Sequence, residues 1–195
     1  MTSLEFIKIK NEELTATSQL TLTTATYFTI QKYESKSYFY DKLYPCMITP
    51  YDDTYFMKKA LEEAKAAFDK GEIPVGAVIV IDNRIIARTH NLTETLTDVT
   101  AHAEMQAITA AANFLGGKYL KGCTLYVTLE PCQMCAGALY WSQIDKIVYG
   151  AKDAQRGCGA MGTTLHPKTS IVGGVLEEEA SMLMKRFFIE KRNLN

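Results

Sequence analysis

The chain has 195 residues, 47% of them hydrophobic, and a formal net charge of −1. That length supports one well-buried core and is short for two, and the near-zero charge excludes the bulk basic character of a non-specific nucleic-acid binder. Five cysteines, an odd number, do not make a secreted disulfide framework, so a reducing cytoplasm is the expected compartment.

Residues 1 to about 50 differ in kind from the rest. Thr15 to Thr29 is rich in threonine, and Tyr27, Tyr33, Tyr38, Tyr40 and Tyr44 follow without a helical or strand period. Three readings stay open: a poorly ordered extension, one or two strands packed on the main domain, or a start-site artefact with the natural start at a later methionine such as Met47. No function is assigned to the segment, and the domain is expected over residues 51–195. No apolar run approaches membrane-spanning length, and Glu5, Glu12 and Glu13 argue against a transit peptide.

From Asp52 the pattern sharpens. Asp52 and Asp53 suit the N-cap of a helix with Met57, Ala60, Leu61, Ala64 and Phe68 on one face, closed by Gly71. Pro74 and Gly76 interrupt the chain before a buried strand, Ala77–Ile81. Asp82-Asn83 then turns it into a partner strand, Arg84–Thr89. Asn91–Val99 reads as a loop, and Thr100 is the expected cap of a helix running from about His102 through Ala112. Gly116-Gly117-Lys118 lacks the rest of a phosphate-binding loop and reads as a turn. Leu125–Leu129 is a third strand leading straight into a cysteine-bearing helix, with Pro131 expected in its first turn. Ile144–Tyr149 is a fourth strand, residues 151–170 a polar loop, and Ile171-Val172 a short fifth strand. A last helix carries Leu183, Met184, Phe187 and Phe188. Helices alternating with strands after an initial hairpin predict an α/β fold: a three-layer α/β/α sandwich around a mixed central sheet.

Two stretches carry the chemistry. Thr100-Ala101-His102-Ala103-Glu104 supplies an imidazole and a carboxylate, and Leu129-Glu130-Pro131-Cys132-Gln133-Met134-Cys135 supplies two thiols. A catalytic zinc site uses three nitrogen or sulfur ligands and keeps the fourth position open, which His102, Cys132 and Cys135 would satisfy. Cysteines three apart at a helix start turn both sulfurs to one side, where the helix N-terminus favours the thiolate. Glu104, two residues past the histidine, is a better candidate for proton carrier than for ligand. The competing reading is a closed structural zinc site, with Cys158, Cys123, His90 or His166 as fourth ligand. None of these stands at the short spacing usual for closed modules.

An H-x-E stretch followed by P-C-x-x-C is the mark of zinc nucleobase deaminases. From Tyr55 to about Arg192 the chain resembles the cytidine deaminase-like superfamily, and within it most closely the bacterial tRNA-specific adenosine deaminases. The specific carriers are Ile73-Pro74-Val75-Gly76-Ala77-Val78, the two stretches above with Ala136-Gly137-Ala138, and Tyr149-Gly150-Ala151-Lys152-Asp153. The resemblance implies one zinc ion per subunit on His102, Cys132 and Cys135, Glu104 as proton shuttle, and a homodimer. It also implies Asn91 as the residue that hydrogen-bonds a flipped base, and Asp153 as a loop residue near the bound nucleotide. The implied reaction is hydrolytic deamination of adenosine to inosine at the wobble position of a tRNA anticodon loop. The alternative is a deaminase of a free base or nucleoside, guanine or cytosine, built on the same zinc core. Two departures stand out: Asp98-Val99-Thr100 where many members read Asp-Pro-Thr, and a short aromatic and basic tail, Phe187-Phe188 followed by Lys191-Arg192.

Overall fold

The structure is a computed structural model that describes residues 51–193. The readings offered for residues 1–50, including the alternative start at Met47, lie outside the described residues.

Helix α1 (Asp53–Asp69) opens as expected, with the Asp52 carboxylate accepting from the Tyr55 amide at 2.7 Å. Strands β1 (Gly76–Ile81) and β2 (Arg84–His90) form the hairpin, turning through Asp82 and Asn83, both at positive φ. Helix α2 (Ala103–Leu115) follows and ends on the left-handed Gly116. Strand β3 (Cys123–Leu129), helix α3 (Gln133–Ser142), strand β4 (Lys146–Ala151), strand β5 (Ser170–Val172) and helix α4 (Glu177–Asn193) complete the order.

The sheet runs β2-β1-β3-β4-β5; β1 is antiparallel to β2 and β3, while β3, β4 and β5 are parallel. It is mixed, as predicted, and buried on both faces. Along β1, Ala77 and Ile79 join Ala103, Ala107, Ala111 and Leu139 of α2 and α3 on one side. Val78 and Val80 meet Phe56, Met57 and Ala60 of α1 on the other. Alternation that is apolar at every position is what a strand between two helical layers requires. Helix α4 adds to the α1 side, with Phe187 edge-on to Phe68 and Ala180 against Leu61 and Ala151. Phe188 stays exposed. Among the described residues no helix is long and apolar enough to cross a membrane.

The α1–β1 contact depends on Gly76. A Cβ there would collide with the carbonyl of Ala60 and the amide of Ala64, both helix backbone that cannot rotate aside. Gly76→Ala should therefore part helix and sheet and lower the unfolding free energy by roughly 1–3 kcal/mol, read from urea unfolding; an unchanged midpoint would refute the close approach.

Strand register also decides where function can gather. Gly76 pairs with His90, and Leu129 with Ala151. The start of β1 and the ends of β2, β3 and β4 therefore share one edge of the sheet, the side where ligands of α/β folds collect. Asn91, Cys132 and Asp153 each follow one of those strand ends.

Candidate metal centre and its surroundings

The chain after β2 is laced to the start of α2. The Leu92 amide donates to Ala101 O at 3.0 Å, Thr89 Oγ1 to Ala103 O at 2.7 Å, and Gln106 Nε2 to both His90 O and Ala101 O. These bonds set His102 at the N-cap of α2, in extended backbone, with its side chain free of any capping duty. The expected cap, Thr100, does something else: its amide and hydroxyl both donate to Asp98 Oδ1 at 2.8 Å, closing the turn before the histidine. Helix α3 shows the same arrangement. Cys132 is its N-cap and Cys135 lies in its first turn, so Pro131 stands one residue before the cap and not inside the helix as expected.

Both helices thus aim their N-termini at one point. His102 Nδ1 lies 3.7 Å from Cys132 Sγ and 3.5 Å from Cys135 Sγ, and the three ligand atoms fall within 4.8 Å of one another. With Zn–N near 2.0 Å and Zn–S near 2.3 Å, a tetrahedral ion sets nitrogen and sulfur about 3.6 Å apart. The donor set fits zinc in both chemistry and spacing. Charge also accumulates at this point: the Cys135 thiol and the His102 ring both donate to the Cys132 sulfur and draw its pKa down to about 4, although burial opposes them. The Cys135 thiol is raised in turn by that bond and by burial, and His102 is raised by the Cys132 thiolate.

No fourth ligand joins the cluster from the described residues. Cys158 donates to Glu130 at 3.7 Å, Cys123 to Lys121 O at 3.9 Å, His90 is held between Lys70 and Glu63, and His166 packs edge-on to Tyr140. The site is open. Glu104, 4% exposed, stands outside the ligand cluster with its carboxyl against the Cys135 thiol, and burial pushes its pKa up to about 7.

Two buried carboxylates to which the sequence assigns no role, Glu72 and Glu130, brace the segments that flank this centre. Glu72, with no exposed surface, accepts from the amides of Thr95 (2.7 Å) and Glu94 (3.2 Å) and from Asn91 Nδ2 (3.0 Å). Burial would raise this carboxyl, but the donors from Thr95, Glu94 and Thr93 together hold it below the ordinary value. Asn91 itself is buried. On the other flank Glu130 accepts from the amides of Asp153 (3.1 Å) and Gly159 (2.9 Å). Gly157 leaves room for it, since a Cβ there would strike the Glu130 carboxylate. The same loop bridges Cys132 through Gly157, and the Cys158 amide donates to Pro131 O. Asp153 therefore lies beside the cysteine helix, where its own carboxylate caps the amides of Gln155 and Arg156. In sequence Glu72 follows Lys70-Gly71 and reads as a polar turn, and Glu130 is masked by the motif that contains it.

Comparison with known proteins agrees with this geometry. Residues 50–151 match the cytidine and deoxycytidylate deaminase zinc-binding region. The chain is 49% identical over 146 residues to the tRNA-specific adenosine deaminase of Bacillus subtilis, covering 72% of this chain and 91% of that protein. It is likewise 49% identical over 146 residues to the tRNA-specific adenosine deaminase of Aquifex aeolicus, covering 71% and 95%. A solved structure from work on A-to-I editing by tRNA:A34 deaminases at the wobble position superposes with a TM-score of 0.63 at 42% identity, covering 67% of this chain and 99% of that one. With a three-ligand zinc site at paired helix N-termini and a mixed five-stranded sheet between helical layers, the chain belongs to the tRNA-specific adenosine deaminases of the cytidine and deoxycytidylate deaminase zinc-binding family.

Proposed function

We propose that this protein is a hydrolase that deaminates adenosine to inosine at the wobble position of a tRNA anticodon. The observation that carries the proposal is a His-Cys-Cys cluster with no fourth ligand among the described residues and a buried carboxylate, Glu104, beside it, in a chain whose relatives are tRNA-specific adenosine deaminases.

His102, Cys132 and Cys135 would hold a zinc ion, which would supply an activated water with its pKa lowered toward about 7. Glu104 handles protons: its carboxylate accepts one, passes it to the ring nitrogen beside the amino-bearing carbon, and later assists the departure of ammonia. Burial keeps bulk water from competing for that proton. Asn91 binds the flipped nucleotide on one flank and the Asp153 loop borders it on the other. A base inside a duplex is out of reach, whereas an anticodon loop presents unpaired bases. With a net charge of −1, backbone contacts fall to local cations, of which exposed Lys152 and Arg156 stand in the bordering loop and Lys191 and Arg192 end α4.

Residues 51–195 are the deaminase domain in this reading, and residues 1–50 an extension without an assigned role. We assign a homodimer, to which Trp141, 77% exposed on α3, offers a large apolar contact. The cytoplasm suits the free thiols Cys123, Cys132, Cys135 and Cys158.

The purified, zinc-loaded protein should form inosine at an anticodon adenosine of unmodified tRNA, read by nuclease digestion and mass spectrometry. Deamination of free guanine or cytosine with none on tRNA would replace this reading with a free-base deaminase.

A further inference from the structure

The side chain of Asn91 is held by a carboxylate that no role in the reaction accounts for. Glu72 has no exposed surface, and among the described residues neither lysine nor arginine pairs with it; its partners there are the hydrogen-bond donors of segment 91–95. A buried carboxylate without a cation is costly unless fully hydrogen-bonded, so its place here calls for a use. What it contributes is orientation. A carboxylate only accepts, so the Asn91 atom facing Glu72 Oε2 at 3.0 Å is the amide NH2. The second hydrogen of that NH2 goes to Thr93 Oγ1 at 2.9 Å, and the Thr93 hydroxyl in turn donates to Glu72 Oε2 at 3.4 Å. Both donors of Asn91 are therefore spent inward. Its Oδ1 takes no hydrogen bond from the described residues, and backbone bonds tie Asn91 to Val75 and its neighbour Leu92 to Ala101, the residue before His102.

We propose that Glu72 is a positioning residue that locks the Asn91 amide with its NH2 inward and its carbonyl oxygen toward the substrate. Asn91 then acts as an acceptor only, and the group it selects on the substrate is a hydrogen-bond donor, a hydroxyl or an N–H. This deepens the proposed function and rests on it, because the substrate contact of Asn91 belongs to that reading.

The test exchanges the two groups. Glu72→Gln alone sets an amide NH2 against the Asn91 NH2 and frees Asn91 to turn over; Asn91→Asp alone sets carboxylate against carboxylate. Each single variant should lose roughly ten- to a hundredfold in kcat/KM on tRNA at unchanged zinc content, the scale of a misplaced substrate contact. The double variant, Glu72→Gln with Asn91→Asp, restores a donor–acceptor pair between the two side chains while setting the new NH2 beside the Glu94 amide. It should recover part of the loss, roughly threefold or more over the weaker single variant. A double variant no better than the weaker single one overturns the proposal. So does Glu72→Gln that lowers the melting temperature while leaving kcat/KM intact, the result of a merely structural role. A measurement on the unaltered protein needs neither activity nor variants. By NMR the Asn91 side-chain NH2 protons should exchange with solvent at least roughly tenfold more slowly than those of exposed Asn113, and equal exchange overturns the lock. Absence of inosine formation by the unaltered protein would instead count against the proposed function, and the NMR result would still decide the orientation.

Discussion

Glu104→Ala leaves a folded, zinc-loaded protein whose turnover on tRNA falls by roughly 10²–10⁴-fold, the range lost with a positioned proton carrier. The zinc remains because Glu104 is not one of the three ligands. The rate falls because the substitution removes the buried carboxyl that stands beside the cluster to carry the proton. Stability moves the opposite way, and this separates a catalytic role from a structural one. In the metal-free protein burial raises the Glu104 carboxyl from 4.5 to about 7. The unfolded chain then releases this proton at lower pH than the folded one does. The folded state is unpenalised below pH 4.5 and loses stability as pH rises toward 7, by about 3 kcal/mol at the plateau. Glu104→Gln removes that loss. Metal-free Glu104→Gln should melt higher than the unaltered protein at pH 8 and equally at pH 4, while its zinc-loaded form is as slow as Glu104→Ala. Inosine formation at the unaltered rate by either variant would remove Glu104 from the role.

This opposition bears on what a single sequence discloses. The cluster of His102, Cys132 and Cys135 was legible because metal chemistry restricts residue type and spacing together, and few other patterns combine a histidine with two cysteines three apart. The layered sheet was legible for a related reason: Ala77 to Ile81 is apolar at every position, which only burial on both faces rewards. Local capping was harder to read. Thr100 and Pro131 have strong intrinsic preferences for helix starts, but the ligands themselves, His102 and Cys132, occupy the caps, and the residues before them shape the turns that aim the ligands. Glu72 and Glu130 were invisible for a deeper reason. A glutamate beside a glycine or a proline is ordinarily a solvated turn residue, and its burial here follows from amide donors contributed by segments about 20 to 30 residues away.

Cys132→Ser is the variant expected to do most damage, and its position makes the result easy to interpret. Serine is a favoured N-cap, so α3 keeps a competent first residue and the fold keeps its helix start. The metal does not survive the change, because a hydroxyl does not ionise to take the place of a thiolate that Cys135 and His102 already draw down to about 4. Losing one of three ligands should weaken zinc binding well beyond the roughly 10–100-fold that follows loss of an outer hydrogen bond to a ligand. Activity should fall to background, zinc content after dialysis should fall from one per chain to near zero, and the melting temperature should drop with it, since metal binding free energy is also folding free energy. Adding chelator to both proteins should close most of the gap in melting temperature, because what the serine removes is the link to the metal and not the helix. A gap that persists undiminished in chelator would assign Cys132 to packing, and a variant that retains zinc would require another ligand in its place.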